Sequence, residues 1–211
     1  MRVYQLEQGT PEWHSLRLGI PTASEFDKII TEVRGDYSKQ ATSYANALIA
    51  EILTRETMRE LPYNKWLDRG STMEADAADA YERIFSVKLH KVGLITNDAH
   101  TWGASLDRII DGQKKAVEIK CPKASTLLDY YYGEKDLEKE YYNQVQGQIF
   151  VSDGEIEEID LFAWCPDMPY VCKTIKRDEK RQNQLAKGLE RFQNEMSAKL
   201  EKLIAEGHIK L

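Results

Sequence analysis

Residues 102–121 read WGASLDRIIDGQKKAVEIKC. Two short apolar blocks flank Asp111-Gly112, a dipeptide suited to a tight turn, and this pattern predicts a pair of antiparallel strands. Side chains two apart on a strand share a face, so Glu118 and Lys120 project together while Val117, Ile119 and Cys121 face the other way. Hairpin pairing across the turn places Asp107 beside Glu118. Two carboxylates and a lysine then meet on one surface.

Taken alone, a Glu-x-Lys pair on a strand is an ordinary surface ion pair of little energetic weight. Asp107 changes its meaning. Adjacent carboxylates repel unless a cation intervenes, and hard oxygen ligands suit Mg²⁺ or Mn²⁺, which keep water and phosphate in their remaining positions. Such an ion lowers the pKa of its water and polarises a phosphoryl oxygen, and a second ion stabilises the leaving oxygen. Lys120 is placed to orient that water. The chemistry is phosphodiester hydrolysis with divalent metal.

The neighbouring sequence supplies the frame. VKLHKVGLIT (87–96) continues the strand-like pattern upstream, and EIDLFAW (158–164) and YVCKTIK (170–176) predict two more strands. Helices are expected over about 22–31, 38–59 and 69–85 from apolar spacing. The first of these opens on Thr22-Ala23-Ser24-Glu25, the form of a capping box. The polar, tyrosine-rich stretch 124–140 reads as a lead-in to a helix through YYNQVQGQIFV (141–151). A long final helix, about 178–206, carries Leu185, Leu189, Phe192, Met196, Leu200 and Leu203 as a stripe that packs on the same body. Without repeats or a Pro/Gly-rich linker, the chain is expected to be a single domain over 1–211. Its class is α/β (mixed α+β): a restriction-endonuclease-like core, with a central mixed β-sheet flanked by helices and a long C-terminal helix.

Two helical residues are candidates to join the cluster. Glu74 shares a helix face with Ala77, Ala78 and Tyr81, where a carboxylate needs a partner. Gln144 lies along the face of Tyr141, Val145 and Gln148.

Composition narrows the function classes. A formal net charge of -6 argues against a protein that coats nucleic acid by bulk attraction, so any DNA site is local. No apolar stretch approaches the roughly 20 residues of a membrane-spanning helix. The start lacks a secretory pattern, and the three cysteines and four histidines lack structural zinc spacing. A reducing cytoplasm is the expected location.

Five motifs in order resemble the lambda-exonuclease family of phage-type alkaline exonucleases and recombination nucleases, within the PD-(D/E)xK nuclease superfamily. They are Trp13 to Gly19 with Thr22-Ala23-Ser24, Gly70 to Glu74, Gly103 to Asp107, Glu118 to Pro122, and Tyr141 to Gln146. The resemblance implies that Asp107, Glu118, the Ile119 carbonyl and Glu74 hold the metal, two Mg²⁺ per site with Mn²⁺ able to substitute. It implies that Lys120 and Gln144 position the water, with Tyr141 at the rim, and that Arg17, Ser24 and Ser105 bind a 5′ phosphate. A phosphate also suits the first turn of the helix opened by Thr22, and Arg17 adds a fork. The implied activity is 5′ to 3′ digestion of one strand of linear double-stranded DNA, by a homotrimeric ring working with a single-strand annealing protein in the phage-infected or prophage-bearing bacterial cytoplasm. The chain departs from the family pattern at Leu106, where proline is expected, and at Arg108, where glycine is common. The alternatives are an endonuclease on the same scaffold and a catalytically inactive DNA-binding protein.

Overall fold

The computed structural model describes residues 1–58 and 65–207, and the side chains of all of these but 65–72. Eight strands and six α-helices are described: β1 Arg2–Tyr4, α1 Pro11–Arg17, α2 Ala41–Thr54, α3 Lys65–Phe85, β2 Leu89–His90, β3 Leu94–Thr96, β4 Gly103–Ala104, β5 Arg108–Ile110, β6 Lys115–Lys120, α4 Ala124–Tyr132, α5 Leu137–Val151, β7 Glu158–Ala163, β8 Val171–Lys176 and α6 Glu179–Ala205. A 3₁₀ segment, Ala23–Lys28, lies between α1 and α2.

The hairpin at Asp111-Gly112 forms as the sequence predicts, with Arg108 opposite Val117 and Ile109 opposite Ala116. β6 then runs parallel to β7, which pairs antiparallel with β8. A parallel pair needs a long crossover, and α4 and α5 supply it. The expected mixed sheet is therefore present, in the order β2-β5-β6-β7-β8.

One expectation is corrected. The blocks 87–96 and 102–110 do not belong to a single sheet; each is divided, and β3 and β4 join β1 in a separate three-stranded sheet. The first break falls at Gly93, where an added Cβ would lie 2.1 Å from the Leu6 carbonyl oxygen. The second falls at Ser105 to Asp107, between β4 and β5.

Alternation along β6 separates two apolar layers. Val117 and Ile119 pack with Ala77, Ala78 and Tyr81 of α3 and with Phe162. Ala116 faces the larger cluster, built with Val145 and Ile149 of α5, Phe26, Leu48 of α2, and Leu185, Leu189, Phe192 and Met196 of α6. The stripe on α6 thus packs on its own body. The stretch 124–132, expected as a lead-in, is a helix of its own: Leu127 and Tyr130 are buried, and Gly133 ends it at a positive φ of 77°. Helix α2 ends at Thr54, with Arg55 left-handed, short of the 59 expected, a position outside the described residues. Among the described residues no helix is long and apolar enough to cross a membrane.

Candidate active site

Glu118 is the hub. Its Oε1 accepts from Lys120 Nζ at 2.8 Å and from Gln144 Nε2 at 2.6 Å, while Oε2 accepts from Gln148 Nε2 at 2.6 Å. The strand period places Lys120 on the face of Glu118, and α5, lying across that face, delivers Gln144 and Gln148 one turn apart. Lys120 Nζ also reaches Gln144 Oε1 at 3.3 Å and lies 4.2 Å from the Tyr141 ring centroid. Tyr141 therefore borders the cluster, where the motif places it.

Asp107 precedes β5 and stands beside Glu118 across the hairpin. Its Oδ2 accepts from the backbone N–H of Ile119 at 2.7 Å, which seats the carboxylate against the strand between Glu118 and Lys120. Burial pushes the Asp107 carboxyl well above the ordinary carboxylate range, and the charges of Glu118 and Glu74 push it the same way. Burial is also the largest influence on Lys120 and disfavours its charge. The facing carboxylates of Glu118 and Asp107 outweigh it, and the ammonium form is held above its usual range.

Glu74 comes from α3 and finds its partner in the residue that departs from the family pattern. Arg108 Nη1 donates to Glu74 Oε1 at 2.6 Å and to the Asp107 carbonyl at 2.6 Å. Gly70 to Thr72 of the same motif have side chains outside the described residues. Among the described residues no three acidic, histidine or cysteine side chains form a ready-made ion cage. The donor chemistry nonetheless fits a Mg²⁺-type ion, which uses one or two carboxylates and keeps several waters: Asp107 and Glu118 supply the carboxylates and Ile119 the strand carbonyl between them.

A second group adjoins the first. Arg17, at the end of α1, donates from Nη2 to Thr22 Oγ1 at 3.1 Å, and Thr22 Oγ1 lies 3.4 Å from Ser24 Oγ. The Arg17 guanidinium stacks 3.9 Å from the Trp13 ring centroid, and Trp13 Nε1 donates to Ser105 Oγ at 3.2 Å. Backbone pairing of Thr22 with Gly103 holds the two segments together. Arg17, Ser24 and Ser105 thus belong to one connected patch. The capping box expected at Thr22 is corrected: its hydroxyl makes no cap bond. Glu25 instead takes Lys28 at 2.6 Å and the Tyr44 hydroxyl at 3.0 Å, and the segment is 3₁₀, ending at Lys28 before the expected 31.

Sequence reading gave no role to Gln148 or to Trp13. The signal for Gln148 was its place four residues after Gln144, on the same helix face. Of the other aromatic side chains, Trp102 packs partly buried against the core, Tyr130 is buried, and Tyr131 and Tyr132 are exposed.

Comparison with known proteins identifies the family. The model of the YqaJ-like viral recombinase domain matches residues 12–155, more than half of the chain and all of the segment bearing both groups. The chain belongs to the YqaJ-like viral recombinase family. This agrees with the lambda-exonuclease-like resemblance of the ordered motifs. Among solved structures it is similar to the alkaline exonuclease LHK-Exo from Laribacter hongkongensis, with 25% identity, a TM-score of 0.79, and 94% of this chain and 98% of that chain covered. LHK-Exo in complex with dAMP gives 26% identity and a TM-score of 0.80, with the same coverage. A phage related exonuclease from Haemophilus somnus 129PT shares the fold, at 15% identity and a TM-score of 0.71 over 87% of this chain and 96% of that one. No curated protein matches significantly. The mixed α/β class is that of these relatives.

Proposed function

We propose that this family member is a divalent-metal-dependent exodeoxyribonuclease that degrades one strand of linear double-stranded DNA in the 5′ to 3′ direction during phage-type recombination. The observation that carries the reading is the hydrogen-bonded cluster Glu118, Lys120 and Gln144, with Asp107 beside it. It adjoins the patch of Arg17, Thr22, Ser24 and Ser105. Family membership and the likeness to an alkaline exonuclease support a nuclease role in recombination.

In this reading Asp107, Glu118 and the Ile119 carbonyl would hold Mg²⁺, or Mn²⁺ in its place, with Glu74 assisting and two ions expected per site. The metal supplies an activated water and neutralises phosphoryl charge. Lys120 holds the attacking water from its ammonium and offsets charge that builds on the phosphoryl oxygens. Gln144 fixes Lys120 and Glu118 relative to each other, and Tyr141 covers the ammonium. Arg17 grips the terminal 5′ phosphate with its fork, and the Ser24 and Ser105 hydroxyls donate to it. The phosphate requirement makes the enzyme start at an end. A homotrimeric ring, a single-strand annealing partner and a bacterial cytoplasmic setting complete the proposal.

The test compares covalently closed plasmid with linear duplex bearing or lacking a 5′ phosphate, with and without Mg²⁺. Digestion confined to linear DNA, faster with the phosphate and absent without the ion, is expected. Efficient cutting of the closed circle would make the protein an endonuclease.

A further inference from the structure

Gln148 is buried, 1% exposed, on the face of α5 that meets β6. Its side-chain amide has two N–H donors, and both are used: one goes to Glu118 Oε2 at 2.6 Å, the other to the Ser105 carbonyl at 3.0 Å. The orientation is forced, because rotating the amide by half a turn would set its oxygen against two acceptors. Its Oε1 meets no donor among the described residues. A buried amide left half satisfied is costly, so its place rests on what its N–H groups hold.

These two anchors belong to different groups of the site. Glu118 is the hub of the carboxylate cluster. Ser105 is the residue whose Oγ shares the Trp13 indole N–H with the Gly93 carbonyl, and the Trp13 ring carries the Arg17 guanidinium. The route Arg17, Trp13, Ser105, Gln148, Glu118 is continuous and joins α1, the β4–β5 connection, α5 and β6. Both bonds leave the one Nε2 nitrogen, so a shift of either acceptor alone strains or breaks one of them.

We propose that Gln148 is a positioning residue that couples the 5′-phosphate patch to the metal carboxylate, so that a terminal phosphate at Arg17 and Ser105 sets the orientation of Glu118 and a bound ion in turn favours the phosphorylated end. The proposal rests on the end-directed reading above. Such coupling is reciprocal, and coupled sites shift one another's affinity by roughly 5- to 150-fold.

The experiment measures binding. Fluorescence anisotropy gives the Kd of duplex DNA with a 5′ phosphate or a 5′ hydroxyl, in EDTA and in Ca²⁺, with a gel check that the DNA stays intact. In wild type the preference for the phosphorylated end is expected to be about tenfold larger with the ion than without it. Gln148→Met keeps the bulk and removes both donors; it is expected to retain a phosphate preference that no longer changes with the ion. Gln148→Asn, too short to span both anchors, serves if the first variant does not fold, and the same loss is expected. A Gln148 variant with wild-type melting and wild-type ion dependence overturns the proposal, as does a wild type whose phosphate preference is the same in both conditions. A wild type with no phosphate preference in either condition overturns the end-directed reading itself, which separates the two failures.

Discussion

Arg108 Nη1 lies 2.6 Å from Glu74 Oε1, so the third carboxylate of the site is neutralised by a cation that the chain itself carries. Strand alternation puts Arg108, opposite Val117, on the α3 side of the sheet, while Glu118 looks toward α5. Both partners are largely removed from water, with the Arg108 side chain 7% and the Glu74 side chain 28% exposed. Removing one partner of such a pair strands the other charge. Arg108→Ala is therefore expected to lose about 2 to 3 kcal/mol in EDTA, the lower end for a broken buried pair because Glu74 is partly solvated. Divalent ion should recover part of that loss by taking over the role of the guanidinium. Melting curves in EDTA and in Mg²⁺ check this; an ion response equal to that of wild type would show that Glu74 does not turn toward the metal when released.

Lys120 makes the second prediction. Its ammonium is held in the charged form by Glu118 and Asp107 despite its burial, which suits a group that orients water and offsets negative charge. Lys120→Ala should cut hydrolysis of linear duplex by about a hundredfold or more, the usual range for a positioned group of this kind. Duplex affinity should stay within a few fold of wild type. Equal turnover numbers for the two proteins would remove Lys120 from the reaction.

Much of this site was legible because strands repeat every two residues and helices every three to four. Glu118 and Lys120 share a face by that rule alone and Asp107 follows from the hairpin, while Gln144 was singled out by the family motif and not by helical spacing. What escaped depends on contacts with no sequence period. The pairing of Arg2 with Thr96, which pulls β3 out of the main sheet, joins residues 94 positions apart. The hydroxyl of Thr22 looked like a cap, and nothing local reveals that Arg17 claims it. The tyrosine-rich stretch read only as a lead-in to the next helix, yet Leu127 and Tyr130 anchor it as a helix of its own. Arg108 was visible as a departure from the family pattern, but its partner on α3 was not, since that meeting is made by the packing of α3 on β6.

The start of α6 gives a prediction on acid stability. Asp178 Oδ1 accepts from the backbone N–H groups of Lys180 at 2.9 Å and Arg181 at 3.2 Å, and Oδ2 accepts from the Tyr142 hydroxyl at 2.5 Å. The Tyr142 hydrogen bond, the largest influence, together with the cap bonds, holds this carboxyl below its usual 3.8. A lowered folded-state pKa contributes stability above the usual value, and that contribution is lost as pH falls through the folded one. Asp178→Ala should cost about 1 to 2 kcal/mol near neutral pH, as for a lost N-cap, which is roughly 2–8 °C in Tm for a chain of this size. The gap to wild type should then narrow as the medium is made more acid than 3.8. Thermal melts across the acid range check the sign; a gap that widens on acidification would show that the charge of Asp178 is not what stabilises the cap.

Gly147 ties packing to the patch proposed to read the DNA end. A Cβ at this position on α5 would lie 2.7 Å from Phe26 Cδ2 and 3.0 Å from Ala23 Cβ, so the 3₁₀ segment must move away from the helix. Ala23 sits between Thr22, which accepts from Arg17, and Ser24, and a shift there displaces the phosphate patch while leaving Lys120 and Glu118 on their strand. Overpacking of this kind costs about 1–3 kcal/mol, against a gain of up to about 1 kcal/mol from replacing glycine inside a helix. Gly147→Ala should therefore melt modestly lower and lose severalfold of its preference for 5′-phosphorylated over 5′-hydroxyl ends. Its rate on hydroxyl ends should fall less than its rate on phosphorylated ends, because Glu118 and Lys120 keep their places on the strand. Initial digestion rates on the two ends, measured side by side, decide the matter: an equal fall on both would mean that the displaced segment supports the whole site, and an unchanged ratio would mean that Ser24 and Thr22 take no part in reading the end.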